Sequence, residues 1–96
     1  MYIIELGYLN RVTGERTWGM GYYKGTNYKT KYIIARELPK EAKRYKEYGN
    51  CARATNKHFL YEVEHNCDKH LCMRVVALVF MIDGTCKPVV LGVHKE

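Results

Sequence analysis

Four side chains able to hold a transition metal fall within the stretch HNCDKHLC: His65, Cys67, His70 and Cys72. Zinc accepts this mixture of thiolate sulfur and imidazole nitrogen. Structural zinc sites usually join two close pairs of ligands that are distant in sequence, and no Cys-x2-Cys pair is present here to supply either half. Cys51 cannot readily join, because a helix running from 51 to 67 would hold the two thiols on the order of 24 Å apart at about 1.5 Å per residue. Cys86 and His94 are the remaining partners. The plainer reading places Cys67 at a helix end, Cys72 in a strand and the histidines in solvent, and on it no metal or other cofactor is expected.

Cysteine catalysis requires a thiolate, a base within reach and a group that orients the base. Cys51 at a helix N-terminus would have the dipole environment that lowers a thiol pKa. His58 lies two turns further along, about 11 Å away and too far for direct proton transfer. Serine and glutamine are absent from the chain, which removes every serine-nucleophile mechanism. A non-enzymatic role is the expectation.

The strongest functional signal is a coincidence of charge and aromaticity. The chain carries a formal charge of +6, and between Tyr22 and Lys57 there are ten Lys or Arg against three Glu. Six of the nine tyrosines fall between Tyr22 and Tyr48. Phosphate is bound by the first kind of side chain and nucleobases stack on the second. The candidate ligand-binding residues are Tyr23, Lys24, Tyr28, Lys29, Lys31, Lys40, Lys43, Arg44, Tyr48 and Arg53. A helix entry at Gly49-Asn50-Cys51 would add free backbone N–H groups for an anion. The competing reading makes the tyrosines core and the lysines a solvated rim. No RNP pattern, no GXXG loop and no basic recognition helix is present, so a small phosphate-bearing ligand fits as well as a polymer.

The elements that must position these residues follow from periodicity. Strands are expected over about 2–9, 16–23 and 28–35, with a turn at 10–14 and a hairpin loop at Lys24 to Asn27. The alternate glycines of the second strand, Gly19 and Gly21, imply that a ring or helix from a neighbour fills the missing side-chain space. Leu38-Pro39-Lys-Glu reads as the entry to a short helix with Leu38, Ala42, Tyr45 and Gly49 inward, Gly49 closing it and Asn50 capping the next. Ala52, Thr55, Phe59, Leu60, Val63 and Cys67 recur at helical spacing, although His58 to His65 also alternates like a strand. Cys72 to Asp83, CMRVVALVFMID, is apolar on both faces and reads as the central strand, followed by an Asp83-Gly84 turn and a last strand over 89–93. The fold class is therefore α+β: a mostly antiparallel five-stranded sheet with two helices in the order β-β-β-α-α-β-β, a single domain spanning residues 1–96. No apolar run reaches the roughly 18 residues of a membrane span, and the opening MYIIELGYL lacks a signal peptide's basic flank and cleavage site. A cytoplasmic protein with reduced cysteines is expected.

The opening MYIIELGYL, the hairpin rich in Gly and Tyr, and the segment AKRYKEYGNCARATNK resemble the small accessory proteins of bacteriophages of Gram-positive bacteria. The resemblance implies a role in host takeover or counter-defence, in the host cytoplasm, by sequestering a nucleotide signal or by blocking a host protein. The partner would then be a nucleotide, a nucleic acid or an acidic host protein. In the last case Trp18 and exposed tyrosines would act as anchors, and a charge-steered partner can equally be another copy of the chain, a homo-oligomer. A zinc-stabilised domain is the third reading.

Overall fold

Ile3, Ile4 and Leu6 bring the densest apolar surface near the start of the chain, and the sheet forms around them. The computed structural model describes residues 1–30, 33–65 and 71–91, with the backbone alone for 58–65. Strand β1 (Tyr2–Leu9) is the middle strand, flanked on one side by β2 (Arg16–Thr26) and β3 (Ile33–Arg36) and on the other by β4 (Leu71–Phe80) and β5 (Cys86–Val90). All four pairings are antiparallel. The five consecutive residues from Ile3 to Gly7 are buried, as a strand covered on both faces requires. The run from Cys72, expected at the centre, is instead the neighbour of the centre. It pairs with β1 from Tyr2↔Ala77 to Tyr8↔Leu71 and ends at Phe80, leaving Met81 and Ile82 exposed at the turn.

Strand alternation divides the core into two layers. On one face Ile4, Leu6, Tyr23 and Cys51 pack with Met73, Val75 and Tyr45 beneath helix α1 (Tyr48–His65). On the other, Ile3, Val76 and Leu78 pack with Ala42, Tyr22 and Cys86. Ile3, Ile4 and Val76 are completely buried, each worth about 1.5–3 kcal/mol relative to exposure.

One of the two expected helices is absent from the described residues. Between Leu38 and Gly49 the chain makes a single 3-10 turn, Pro39–Glu41, and then becomes extended. The backbone has a competing use there. Lys43 N–H donates to Tyr23 O at 2.9 Å, and Tyr45 and Tyr2 exchange both hydrogen bonds at 2.8 Å. These bonds satisfy groups of β1 and β2 that diverging strands would otherwise leave open, and a helix would withdraw them. Ala42 belongs to one core layer and Tyr45 to the other, so the chain passes between β1 and β2 from one face of the sheet to the opposite one. Helix α1 then begins at Tyr48, so that Gly49 and Asn50 lie inside its first turn rather than forming a cap and a new start. It continues as helix through 58–65, where alternation also allowed a strand. The stripe residues Phe59, Leu60 and Val63 have side chains outside the described set, and Cys67 lies outside it altogether.

Strand boundaries shift for local reasons. Asn27 Oδ1 accepts from the N–H groups of Lys29 and Thr30, at 2.9 and 3.1 Å, closing a turn where the third strand was expected to begin. The last strand starts at Cys86, before its expected start at Val89, and Pro88 sits within it on the sheet edge. Gly19 and Gly21 have φ of +96° and +111°, and a Cβ on Gly19 would meet open space. They permit a bulge in β2, where the five residues from Trp18 to Tyr22 span three of β1, Glu5 to Gly7. The glycine that makes room for a ring is Gly7, against which Trp18 lies.

Candidate ligand-binding groove

A groove of about 320 Å³ opens between the 3-10 turn and the hairpin joining β4 to β5, lined by Leu38, Pro39, Lys40, Arg44, Phe80, Gly84, Thr85 and Cys86. Pro39 presets the turn, which is closed by Glu41 N–H on Leu38 O at 3.0 Å and Ala42 N–H on Pro39 O at 3.1 Å. Arg44 donates through Nη2 to Lys40 O at 3.2 Å, and its guanidinium stands 5.3 Å from the Phe80 ring centre. Phe80 is half exposed. The hairpin side is held by Met81 N–H on Thr85 O at 2.7 Å and by Asp83 Oδ1, which accepts from Thr85 N–H and Oγ1 at 3.0 and 2.7 Å. Those hydrogen bonds from Thr85 hold the Asp83 carboxyl below its ordinary pKa. Two cations and a half-exposed aromatic ring, one of the cations standing over it, thus meet at one concavity, a combination able to pair with an anionic group and cover an apolar ring.

Among the nine candidate residues that are described, only Lys40 and Arg44 line this groove. Tyr23 is in the core at 4% exposure, its hydroxyl 3.1 Å from Thr26 Oγ1, so its ring is not an open stacking face. Lys24 is exposed towards the end of β2, and Tyr28 and Lys29 lie in the turn at 27–30. Lys43 sits over the Tyr45 ring at 5.7 Å where the chain crosses the sheet. Tyr48 and Arg53 belong to α1, Tyr48 edge-on to the Tyr2 ring at 5.7 Å and Arg53 donating to Asn50 Oδ1. Lys31 lies outside the described residues. The crossing between β1 and β2 is what divides the set, since it puts the 3-10 turn on one face and the helix on the other. At the expected anion site, Gly49-Asn50-Cys51, the helix has already begun at Tyr48, and Cys51 N–H donates to Glu47 O at 3.2 Å inside it.

Of the metal candidates, Cys72 is buried in β4, while Cys67, His70 and the His65 side chain are outside the described residues. No group of three or more metal-binding side chains occurs among the described residues. The Cys51 thiol is not lowered by a helix start. Desolvation pushes its pKa up to about 11, against a smaller opposing effect of the Thr55 hydroxyl. Burial raises Cys72 as well, more than Arg16 and Arg74 lower it.

One constellation escaped the sequence reading. Glu5, 8% exposed on β1, faces Arg74 directly across the ladder; Arg74 donates to Glu5 Oε1 from Nε and Nη2, each at 2.8 Å. The guanidinium lies 4.2 Å from the Trp18 ring centre. A lone acid in one apolar strand and a lone base in another were the available signal. Their registry across the sheet was not.

No protein-family model, curated protein or solved structure matches the chain. Among the described residues no helix is long and apolar enough to cross a membrane.

Proposed function

We propose that the protein is a small non-enzymatic binding module that captures a phosphate-bearing ligand of the nucleotide class, with Lys40 and Arg44 on the phosphate and the base against Phe80, Leu38 and Pro39. The observation that carries this reading is the meeting of Lys40, Arg44 and the half-exposed Phe80 ring at one groove. Its volume of about 320 Å³ suits a single nucleotide unit. Host takeover or counter-defence, the setting implied by the resemblance to phage accessory proteins, would use such capture to lower the level of a nucleotide signal.

Calorimetric titration with ADP tests the reading. The wild-type chain should bind, and K40E/R44E should bind at least about tenfold more weakly, since each charge-assisted hydrogen bond is worth about 1.5–3 kcal/mol. Circular dichroism checks that the variant is folded. Unchanged ADP affinity in a folded K40E/R44E would refute the site. A protein partner is the second reading, favoured by the exposed apolar run Val79, Phe80, Met81 and Ile82. It requires capture of an acidic partner that persists after nuclease treatment.

A further inference from the structure

Strand β3 covers only the second half of β2, from Tyr22↔Arg36 to Thr26↔Ile33. The first half, from Arg16 to Gly21, has a strand on one side alone among the described residues. The ladder dictates which backbone groups face the open side. Tyr2 exchanges hydrogen bonds on the β2 side of β1, and Asn10 N–H donates to Glu15 O at 2.8 Å. Antiparallel alternation then pairs Tyr8 with Thr17 and turns the N–H and C=O groups of Arg16 and Trp18 outward. The opposite edge of the sheet is different. Leu78 N–H donates to Met1 O, so the Leu78↔Pro88 pair is not hydrogen-bonded and Pro88 presents its missing donor to the outside of β5.

Where β3 ends, Gly19 and Gly21 bend β2 beside a groove of about 520 Å³ lined by Met20, Tyr22, Ala35, Arg36 and Glu37. An added strand would run along Arg16 to Trp18 in line with β3 and finish in this groove. Arg16 and Arg36 are both exposed and bracket the open stretch. A second copy of the chain would bring one +6 molecule against another. We propose that the open edge of β2, with its outward Arg16 and Trp18 backbone groups between Arg16 and Arg36, is a strand-addition site for an acidic, extended peptide segment of a partner protein. Main-chain bonds supply the docking, and carboxylates on alternate residues meet the flanking arginines. This surface is separate from the Lys40–Arg44 groove and does not depend on it.

The probe is the hexapeptide acetyl-EVEVEV-amide, compared with its acetyl-KVKVKV-amide counterpart, with amide hydrogen exchange read by NMR. The acidic peptide should bind at least about tenfold more tightly than the basic one. At saturation, exchange at the Arg16 and Trp18 amides should slow at least about fivefold, while Thr17, already paired with Tyr8, stays unchanged. R16P should bind at least about threefold more weakly than R16A, because both lose the charge and only the first loses the outward N–H. K40E/R44E should bind the acidic peptide as the wild type does. No binding by about 1 mM peptide, equal affinity for the basic peptide, or unaltered exchange at Arg16 and Trp18 overturns the proposal. If R16P fails to fold, the wild-type exchange measurement decides.

Discussion

Gly7 shows how much a single position can constrain this sheet. A Cβ there would come within 2.6 Å of the Trp18 ring and 2.7 Å of Thr17 O, and backbone cannot give way as a flexible side-chain end can. G7A should therefore lose about 1–3 kcal/mol of stability in urea unfolding, the usual cost of overpacking. Trp18 is pressed there by Arg74, which Glu5 holds in turn. The pair is incompletely buried, with side-chain exposures of 29% for Arg74 and 10% for Glu5. Removing Glu5 alone leaves a cation partly desolvated, so E5Q should cost about 1–3 kcal/mol, less than for a fully buried pair. The double variant E5L/R74M should be less destabilised than E5Q, which denaturant midpoints will show. Each charge is an exception in an otherwise apolar strand, and neither is among the candidate residues read from the sequence. Only the Glu5↔Arg74 register made them one feature.

At the scale of elements, the segment from Ala42 to Tyr45 explains why a helix was legible and wrong. Ala42 and Tyr45 are the residues that a helical stripe would turn inward, and both do contribute to the core. Three residues apart, they share a face in a helix but point to opposite sides in extended chain. Periodicity could register that both are apolar but not that each belongs to a different layer. The backbone bonds of Lys43 and Tyr45 to Tyr23 and Tyr2 decide the matter, and they join residues far apart in sequence. K43P deletes the donor to Tyr23 O and should cost about 1–3 kcal/mol, while K43A, which loses only the contact with the Tyr45 ring, should cost less than about 1 kcal/mol. Equal losses in thermal unfolding would mean that the crossing is not held by that bond.

For the whole molecule, pH dependence follows from burial at the seam between helix and sheet. Desolvation, with smaller effects of Tyr23 and Cys51, raises the Tyr45 phenol from 10.0 to about 12; desolvation raises the Cys51 thiol from 9.0 to about 11. Burial, and secondarily Glu5, also raises Tyr22. In each case the folded state favours the protonated form. Their contribution is fully present below the unfolded pKa and is lost as pH rises through the folded one. Denaturant midpoints should therefore fall progressively from about pH 9 towards pH 12. A flat profile over that range would contradict the burial of both groups. Iodoacetamide at pH 8 should correspondingly leave Cys51 unmodified in the native protein.

Composition and short-range pattern alone determined the α+β class, the antiparallel character, the apolar strand after Cys72, the helix from Cys51 onward and the concentration of cations and tyrosines in mid-chain. Those properties depend on alternation, helical spacing and turn residues, all of which act between near neighbours. Tertiary structure alone decided that β1 is the middle strand, that the chain crosses the sheet between β1 and β2, and that Lys40 and Arg44 meet Phe80 while Tyr48 and Arg53 lie with the helix. Among the described residues it also left the first half of β2 with a strand on one side alone. These outcomes depend on which distant backbone groups satisfy one another. Such hydrogen bonds are blind to side-chain type, so the pattern of residues carries little record of them.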